Sequence, residues 1–191
     1  MLPRIYFIRH GETEWSLSGR CTGRTDLPLT QHGADLAREL GRRLTGISFA
    51  RIMSSPRERA QRTCELAIPG GTREIEPDLA EWDYGDYEGQ HSAAVHQTHP
   101  DWNLFRDGCP GGETPKQVST RADRLIAKLR TLEGNIALFS HGHFGRVLAA
   151  RWIGLPVSGA QHFLLSPASL SIFDYEHGQA DAPVIALWNA T

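Results

Sequence analysis

Short apolar runs and helix-period stripes alternate along this chain. Ile5-Tyr6-Phe7-Ile8 is apolar and rich in strand formers, and predicts a buried strand ending at Arg9. A polar, glycine-rich stretch follows through Pro28 and reads as loop. Thr30 is a candidate N-cap for a helix reaching Leu44, because Leu36, Ala37, Leu40 and Leu44 recur three and four apart on one face. Residues 50–53 predict a second strand, stopped by Ser54-Ser55-Pro56, with Pro56 in the first turn of a helix to about Ala67. Residues 74–79 predict a third strand at a sheet edge, since Pro77 cannot donate to a ladder. Residues 83–115 are polar, carry five glycines and read as an insertion with one short helix near 92–99. Val118, Ala122, Leu125, Leu129 and Leu132 stripe a helix over 115–132, which Gly134 stops. Residues 135–140 predict another buried strand, ending in His141, followed by a helix over 144–153 and closing strands over 169–175 and 184–188. Such alternation predicts one α/β layered domain over residues 1–191, with a largely parallel sheet.

Composition narrows the function classes. The 191 residues suffice for one well-buried domain. A 40% hydrophobic content with sixteen aromatic residues excludes a disordered chain. The net charge of −2 argues against a basic nucleic-acid binder, so no nucleic-acid partner is expected. No run approaches the ~18 apolar residues of a membrane span, and the N-terminal run is too short for a signal-peptide core. Cys21, Cys64 and Cys109 are widely spaced, with no CxxC pair, which fits free thiols in a cytoplasmic protein. Of 20 cationic residues 18 are arginine, leaving Lys116 and Lys128; genome composition explains such a bias, although arginine also suits oxyanion recognition.

Candidate chemistry gathers at two matched strand ends, Arg9-His10-Gly11 and Ser140-His141-Gly142. Ligands bind outside the carboxyl ends of parallel strands, and glycine lets backbone approach them closely. One strand-end histidine is ordinarily a satisfied structural residue, but a matched pair with an adjacent arginine points to function. A neutral imidazole is a nucleophile when its other nitrogen donates to an acceptor. Arg9, with Arg57 and Arg59 after the second strand, suggests a phosphoryl target, although either of the latter alone reads as a solvated helix residue. Glu12, Glu14, Glu58, Glu81, Asp83, Asp86 and Glu88 are all candidate proton donors; Glu81 has the best local case, after the third strand and between apolar Leu79 and Trp82. His10, His141 and His143 offer a three-histidine metal alternative, ranked lower because Arg9 would sit beside the cation and no HExxH or cysteine pattern supports it. No Walker or GxGxxG loop is present.

These residues resemble the histidine phosphatase superfamily, in its phosphoglycerate-mutase-like branch. Arg9-His10-Gly11-Glu12-Thr13 is similar to its RHG signature. Leu27-Pro28-Leu29-Thr30 with Gly33, Ser54-Ser55-Pro56-Arg57-Glu58-Arg59-Ala60 with Thr63, Leu79-Ala80-Glu81 with Gly85 and Glu88-Gly89, and Ser140-His141-Gly142 follow in the family's order. The resemblance implies a three-layer α/β sandwich whose insertion, about residues 83–115, lies over the active site. It implies His10 as the nucleophile, Arg9, Arg59 and His141 as phosphoryl-binding groups, and Glu81 as proton donor and later base. Thr22 and Gly23 match a substrate-contacting pair, Gly142 follows the second histidine, and Ser16 stands where many members have a phosphate-contacting Asn. Such enzymes use no metal or other cofactor. Trp82 replaces the arginine that follows the acid in mutases, and the insertion offers Arg106 alone as a strong cation, which favours a phosphatase over a mutase. The segment 81–89 with Cys21-Thr22-Gly23-Arg24 resembles sugar-bisphosphatase members, implying a small phosphorylated substrate such as a sugar phosphate, and Arg20 and Arg24 are candidates for a second phosphate. A catalytically dead phospho-ligand-binding module is the alternative of another class. No sequence signal bears on oligomeric state.

Overall fold

The computed structural model describes residues 2–191. Its six strands form one sheet: β1 (Arg4–Arg9), β2 (Arg51–Ser54), β3 (Glu74–Ile75), β4 (Asn135–Ser140), β5 (Leu170–Tyr175) and β6 (Pro183–Ala190), in the order β3-β2-β4-β1-β5-β6. The β1–β4, β2–β4 and β2–β3 pairs are parallel, and the closing strands β5 and β6 add antiparallel. Seven helices accompany them among the described residues: α1 (Glu14–Ser18), α2 (Gln31–Leu44), α3 (Glu58–Ala67), α4 (Ser92–Thr98), α5 (Leu104–Asp107), α6 (Pro115–Leu129) and α7 (Gly142–Trp152).

Strand alternation explains the layering, because successive side chains point to opposite faces. Ile5 and Phe7 of β1, with Ile136 and Leu138 of β4, pack against α6 and α7. Tyr6 and Ile8, with Ala137 and Phe139, pack against Leu40, Leu44 and Cys64 of α2 and α3. The central strands are therefore buried on both faces, which is why they read as continuous apolar runs. The result is a three-layer α/β sandwich around a mostly parallel sheet.

The predicted elements stand with local corrections. Thr30 caps α2 by accepting from the Gly33 N–H, and Thr114 caps α6 in a reciprocal pair with Gln117. The expected loop after β1 contains α1, nucleated by a capping box between Thr13 and Ser16. The third strand shrinks to Glu74–Ile75, and Pro77–Leu79 is a 3-10 turn, since proline starts a turn but cannot extend a ladder. Pro56 lies before α3 rather than inside its first turn, α6 ends at Leu129 ahead of Leu132, and α7 starts at Gly142, two residues early.

Candidate active site

The parallel β1–β4 pairing sets Arg9 opposite Ser140 and so brings both His-Gly strand ends to one edge of the sheet. The His10 and His141 rings stand 5.2 Å apart between centroids, tilted by 62°. Both are buried. The His10 Nδ1 lies 2.7 Å from the carbonyl oxygen of Gly11. A carbonyl only accepts, so Nδ1 carries the proton and Nε2 keeps its lone pair. Gly11 is required here, because a Cβ would sit 2.5 Å from the carbonyl oxygen of Gly33. Thr63 Oγ1 accepts from the Gly11 N–H at 2.9 Å and fixes this turn to α3.

His141 is held from the other nitrogen. Its Nε2 lies 2.7 Å from the Ser55 Oγ, which also accepts from the Arg57 N–H. A Ser55 proton given to Nε2 places the His141 proton on Nδ1, a buried atom with no partner. Burial, reinforced by Arg59, holds both histidines well below the usual range; Arg9 adds to the effect at His10, and His10 itself at His141. Both rings are neutral at pH 7.

Unpaired donors converge around these rings. The Nε groups of Arg9, Arg57 and Arg59 are buried without a partner, like His141 Nδ1. Arg59, fully buried, gives Nη1 to the Thr25 carbonyl at 2.9 Å and Nη2 to those of Thr22 and Gly23 at 3.0 and 3.1 Å. Arg9 donates to the Leu165 carbonyl. An orphaned buried donor costs roughly 1–3 kcal/mol, and a bound oxyanion removes that cost at several positions at once.

Glu81 follows a 3-10 turn rather than the expected strand, and it meets the start of α7. Its Oε1 accepts from the N–H groups of Trp82 (2.9 Å) and Phe144 (2.8 Å), and its Oε2 from that of His143 (3.0 Å). Backbone donors at a helix N-terminus, rather than the apolar neighbours suggested by sequence, therefore surround this carboxylate. Oε2 retains one acceptor position.

Arg9, His10, Ser16, Thr22, Glu81 and Gly142 line one cavity of about 290 Å³, with Arg59 and His141 buried outside its lining. Ser16 lines it, but its Oγ is engaged with the Thr13 backbone. Thr22 also lines it, with its hydroxyl turned to the Arg20 carbonyl at 3.1 Å. Gly23 does not: its N–H is taken by both Glu88 carboxylate oxygens at 3.0 Å. Arg20 faces the cavity, whereas Arg24 pairs with Asp83 at 2.6 Å. His141 and His143 do not share a face, because α7 begins between them; His143 Nδ1 meets the Tyr84 hydroxyl at 2.5 Å. Among the described residues no group of three or more His, Cys, Asp or Glu is placed to hold a metal ion. Sequence reasoning missed Ser55, Tyr84 and Arg146. Ser55 was visible within the Ser54-Ser55 pair, while a single arginine on a helix carries no signal of a cavity.

Fold and site together define an α/β enzyme that handles a phosphoryl group at the carboxyl end of its sheet. Residues 5–191 match the model of the histidine phosphatase superfamily (branch 1). An acid phosphatase of Mycobacterium tuberculosis is 40% identical over 190 residues, spanning 96% of this chain and 92% of that protein. A sedoheptulose 1,7-bisphosphatase of Saccharomyces cerevisiae is 38% identical, spanning 82% of this chain and 70% of the relative. A solved Mycobacterium tuberculosis protein superposes with a TM-score of 0.91 at 36% identity, covering 98% of this chain and 97% of its own. The chain belongs to the histidine phosphatase superfamily, and it is a phosphoric monoester hydrolase.

Proposed function

We propose that this phosphatase hydrolyses small phosphomonoesters, sugar phosphates among them, through a phosphohistidine at His10 and without a metal. The observation that carries the reading is the His10 tautomer: Nδ1 donates to Gly11 at 2.7 Å inside a ring of unpaired arginine and imidazole donors. Nε2 attacks phosphorus, and the bond from phosphorus to the leaving oxygen breaks. Arg9, Arg59 and His141 Nδ1–H hold the equatorial oxygens as charge spreads over them. Glu81 passes a proton to the leaving oxygen, then takes one from the water that attacks the phosphohistidine, which releases phosphate and restores His10. Ser16, Thr22 and Gly142 contact substrate around the transferred group. Gly23 acts through its carbonyl on Arg59, because its N–H is already occupied.

A sugar phosphate is supported by the similarity to a sedoheptulose bisphosphatase. Hydrolysis rather than a mutase reaction fits Trp82, fully buried with its indole N–H on the Glu113 carbonyl at 2.9 Å, and Arg106, exposed and paired with Asp107. We read residues 1–191 as one domain, with 83–115 supplying Tyr84 and Ser92 to the cavity wall. The three cysteines are free and buried, which supports a cytoplasmic location, and no helix among the described residues is long and apolar enough to cross a membrane.

Rapid-quench labelling with a phosphorylated substrate tests the reading. The expected product is an acid-labile, base-stable phosphoprotein that His10→Ala abolishes; label on serine, or turnover lost to a chelator, would overturn it.

A further inference from the structure

The segment 165–169, just before β5, holds the catalytic turn by backbone groups. The Leu165 carbonyl accepts from Arg9 Nη1, the Ala168 N–H donates to the His10 carbonyl at 3.1 Å, and the Ser169 carbonyl accepts from the Arg9 N–H at 3.3 Å. Among the described residues, Leu165 provides the one protein acceptor for the Arg9 guanidinium. Leu165 also lines the cavity beside Arg9 and His10. This strap therefore sets where the Arg9 side chain points and where the His10 backbone lies.

The strap is bent into a conformation that its sequence does not favour. The Ser169 N–H donates to the Ser166 carbonyl at 3.2 Å, closing a turn with Pro167 and Ala168 at its centre. Ala168 has φ 54°, left-handed backbone that a turn of this kind ordinarily gives to glycine. Asn189, at φ 53°, is a second non-glycine residue in that region, and it lies against the same turn. The strand pairing explains how it gets there. Leu170 pairs with Ala190 and Ile172 with Leu187, so Trp188 and Asn189 together oppose Ser171 in a bulge of β6. The bulge takes the Asn189 N–H onto the Ser171 hydroxyl at 3.0 Å and turns the side chain to Ser166. Asn189 Oδ1 accepts from the Ser166 N–H at 2.6 Å, and Nδ2 donates to the Ser166 Oγ at 3.4 Å. One amide thus clamps the first residue of a strained turn whose neighbours hold Arg9 and His10. Asn189 itself is absent from the cavity lining.

We infer that Asn189 is a positioning residue for phosphoryl transfer: its side-chain amide keeps the 165–169 strap in the left-handed turn, and the strap aims Arg9 and seats His10. The inference rests on the roles proposed above for those two residues. Without the amide, the Ser166 N–H loses its acceptor and Ala168 relaxes toward ordinary backbone. The Leu165 carbonyl and the Ala168 N–H then shift from their partners, and Arg9 is no longer held toward the phosphoryl oxygens.

Substitutions at position 189 separate the amide from the backbone that carries it. Asn189→Gly keeps the left-handed backbone and deletes the amide. It should lower kcat/KM and the affinity for orthovanadate together by about tenfold, the scale of one buried donor left unpaired. Asn189→Asp keeps an acceptor for the Ser166 N–H and should recover most of both. In an Arg9→Ala background, Asn189→Gly should cost less than about threefold, because members of one network do not contribute additively. Parental rate and vanadate affinity in Asn189→Gly, with only a lower thermal midpoint, would assign the amide to stability alone and overturn the inference. Full additivity with Arg9→Ala also overturns it, as does an Asn189→Asp protein no better than the glycine variant. Should the glycine variant not fold, Asn189→Ser, too short to reach the Ser166 N–H, takes its place with the same expectations. Failure of the phosphoryl-site reading shows separately, as an Arg9→Ala protein that keeps the parental affinity for orthovanadate.

Discussion

The strand ends at His10 and His141 look alike in sequence and behave differently in the fold. Each is a buried imidazole after a central strand and before a glycine. His10 gives its Nδ1 proton to a backbone carbonyl and is left with a bare nitrogen; His141 meets a serine through Nε2 and, with the serine proton there, is left with a bare N–H. One is prepared to attack and the other to donate. The partner atom, not the residue type or the burial, divides the roles. That division predicts unequal losses. His10→Ala should abolish the phosphoenzyme and lower kcat/KM by about 10⁴-fold or more, since no other group replaces a nucleophile. His141→Ala should cost about 10²- to 10³-fold, the scale of one oxyanion donor, and should still form the phosphoenzyme slowly. Equal losses, read by steady-state and quench kinetics, would erase the distinction.

Glu81 extends the contrast from the attacking side to the leaving side. Glu81→Gln should slow alkyl phosphates about 10²-fold and an activated aryl phosphate much less, because a good leaving group needs no proton. A uniform loss on both substrates would show that Glu81 serves α7 through the His143 and Phe144 N–H groups rather than the reaction.

Acid tests what the two rings share. Their folded-state values lie well below the usual histidine range, and His143 is pushed down to about 3 by burial and Arg146. The unfolded chain binds protons near the ordinary value of about 6.5, so it takes up more than the folded chain as pH falls. Stability contributed by His143 is complete above pH 6.5 and declines toward pH 3, and that contributed by His10 and His141 falls in the same direction. For His143 alone the loss by pH 5 is about 2 kcal/mol, read as a lower thermal midpoint. Burial and the two arginines hold the nucleophile well below the usual histidine range, so the acid limb of kcat/KM should lie below pH 6.5. A limb at the ordinary histidine value would mean that His10 is not shielded as the geometry implies.

The central sheet was legible because β1 and β4 are buried on both faces, which leaves an uninterrupted apolar run, and because Thr30 and Thr114 cap their helices through local chemistry. His10 was legible for a related reason: strand, histidine and glycine are consecutive. The contacts that divide the two histidines were not. Ser55 and His141 are 86 residues apart, and Arg146 reaches the cavity only through the position of α7 beside residues 160–161. Glu81 was found with an incomplete reason, since its apolar sequence neighbours say nothing of the helix N-terminus that it meets in space. The strand over 74–79 failed because edge pairing stops where Pro77 removes a donor.

The finest test of the comparison is Ser55. The hydroxyl is a positioning group: it touches His141 and would not touch the phosphoryl group. Removing it in Ser55→Ala leaves His141 Nε2 without its donor, so the ring can move its proton to Nε2 and lose the N–H that faces the phosphoryl oxygens. The expected loss is about tenfold in kcat/KM, smaller than deletion of the imidazole, because the ring stays in place and either tautomer remains accessible. Ser55→Thr, which keeps the hydroxyl, should restore most of the rate. Ser55→Ala should also weaken binding of orthovanadate, a mimic of the transferred phosphoryl group, in parallel with the rate, while ¹⁵N spectra of the imidazoles show the proton of His141 leaving Nδ1 and that of His10 unmoved. If the His141 spectrum does not change, the serine acts only in packing, and the two strand ends are distinguished by some contact other than this one.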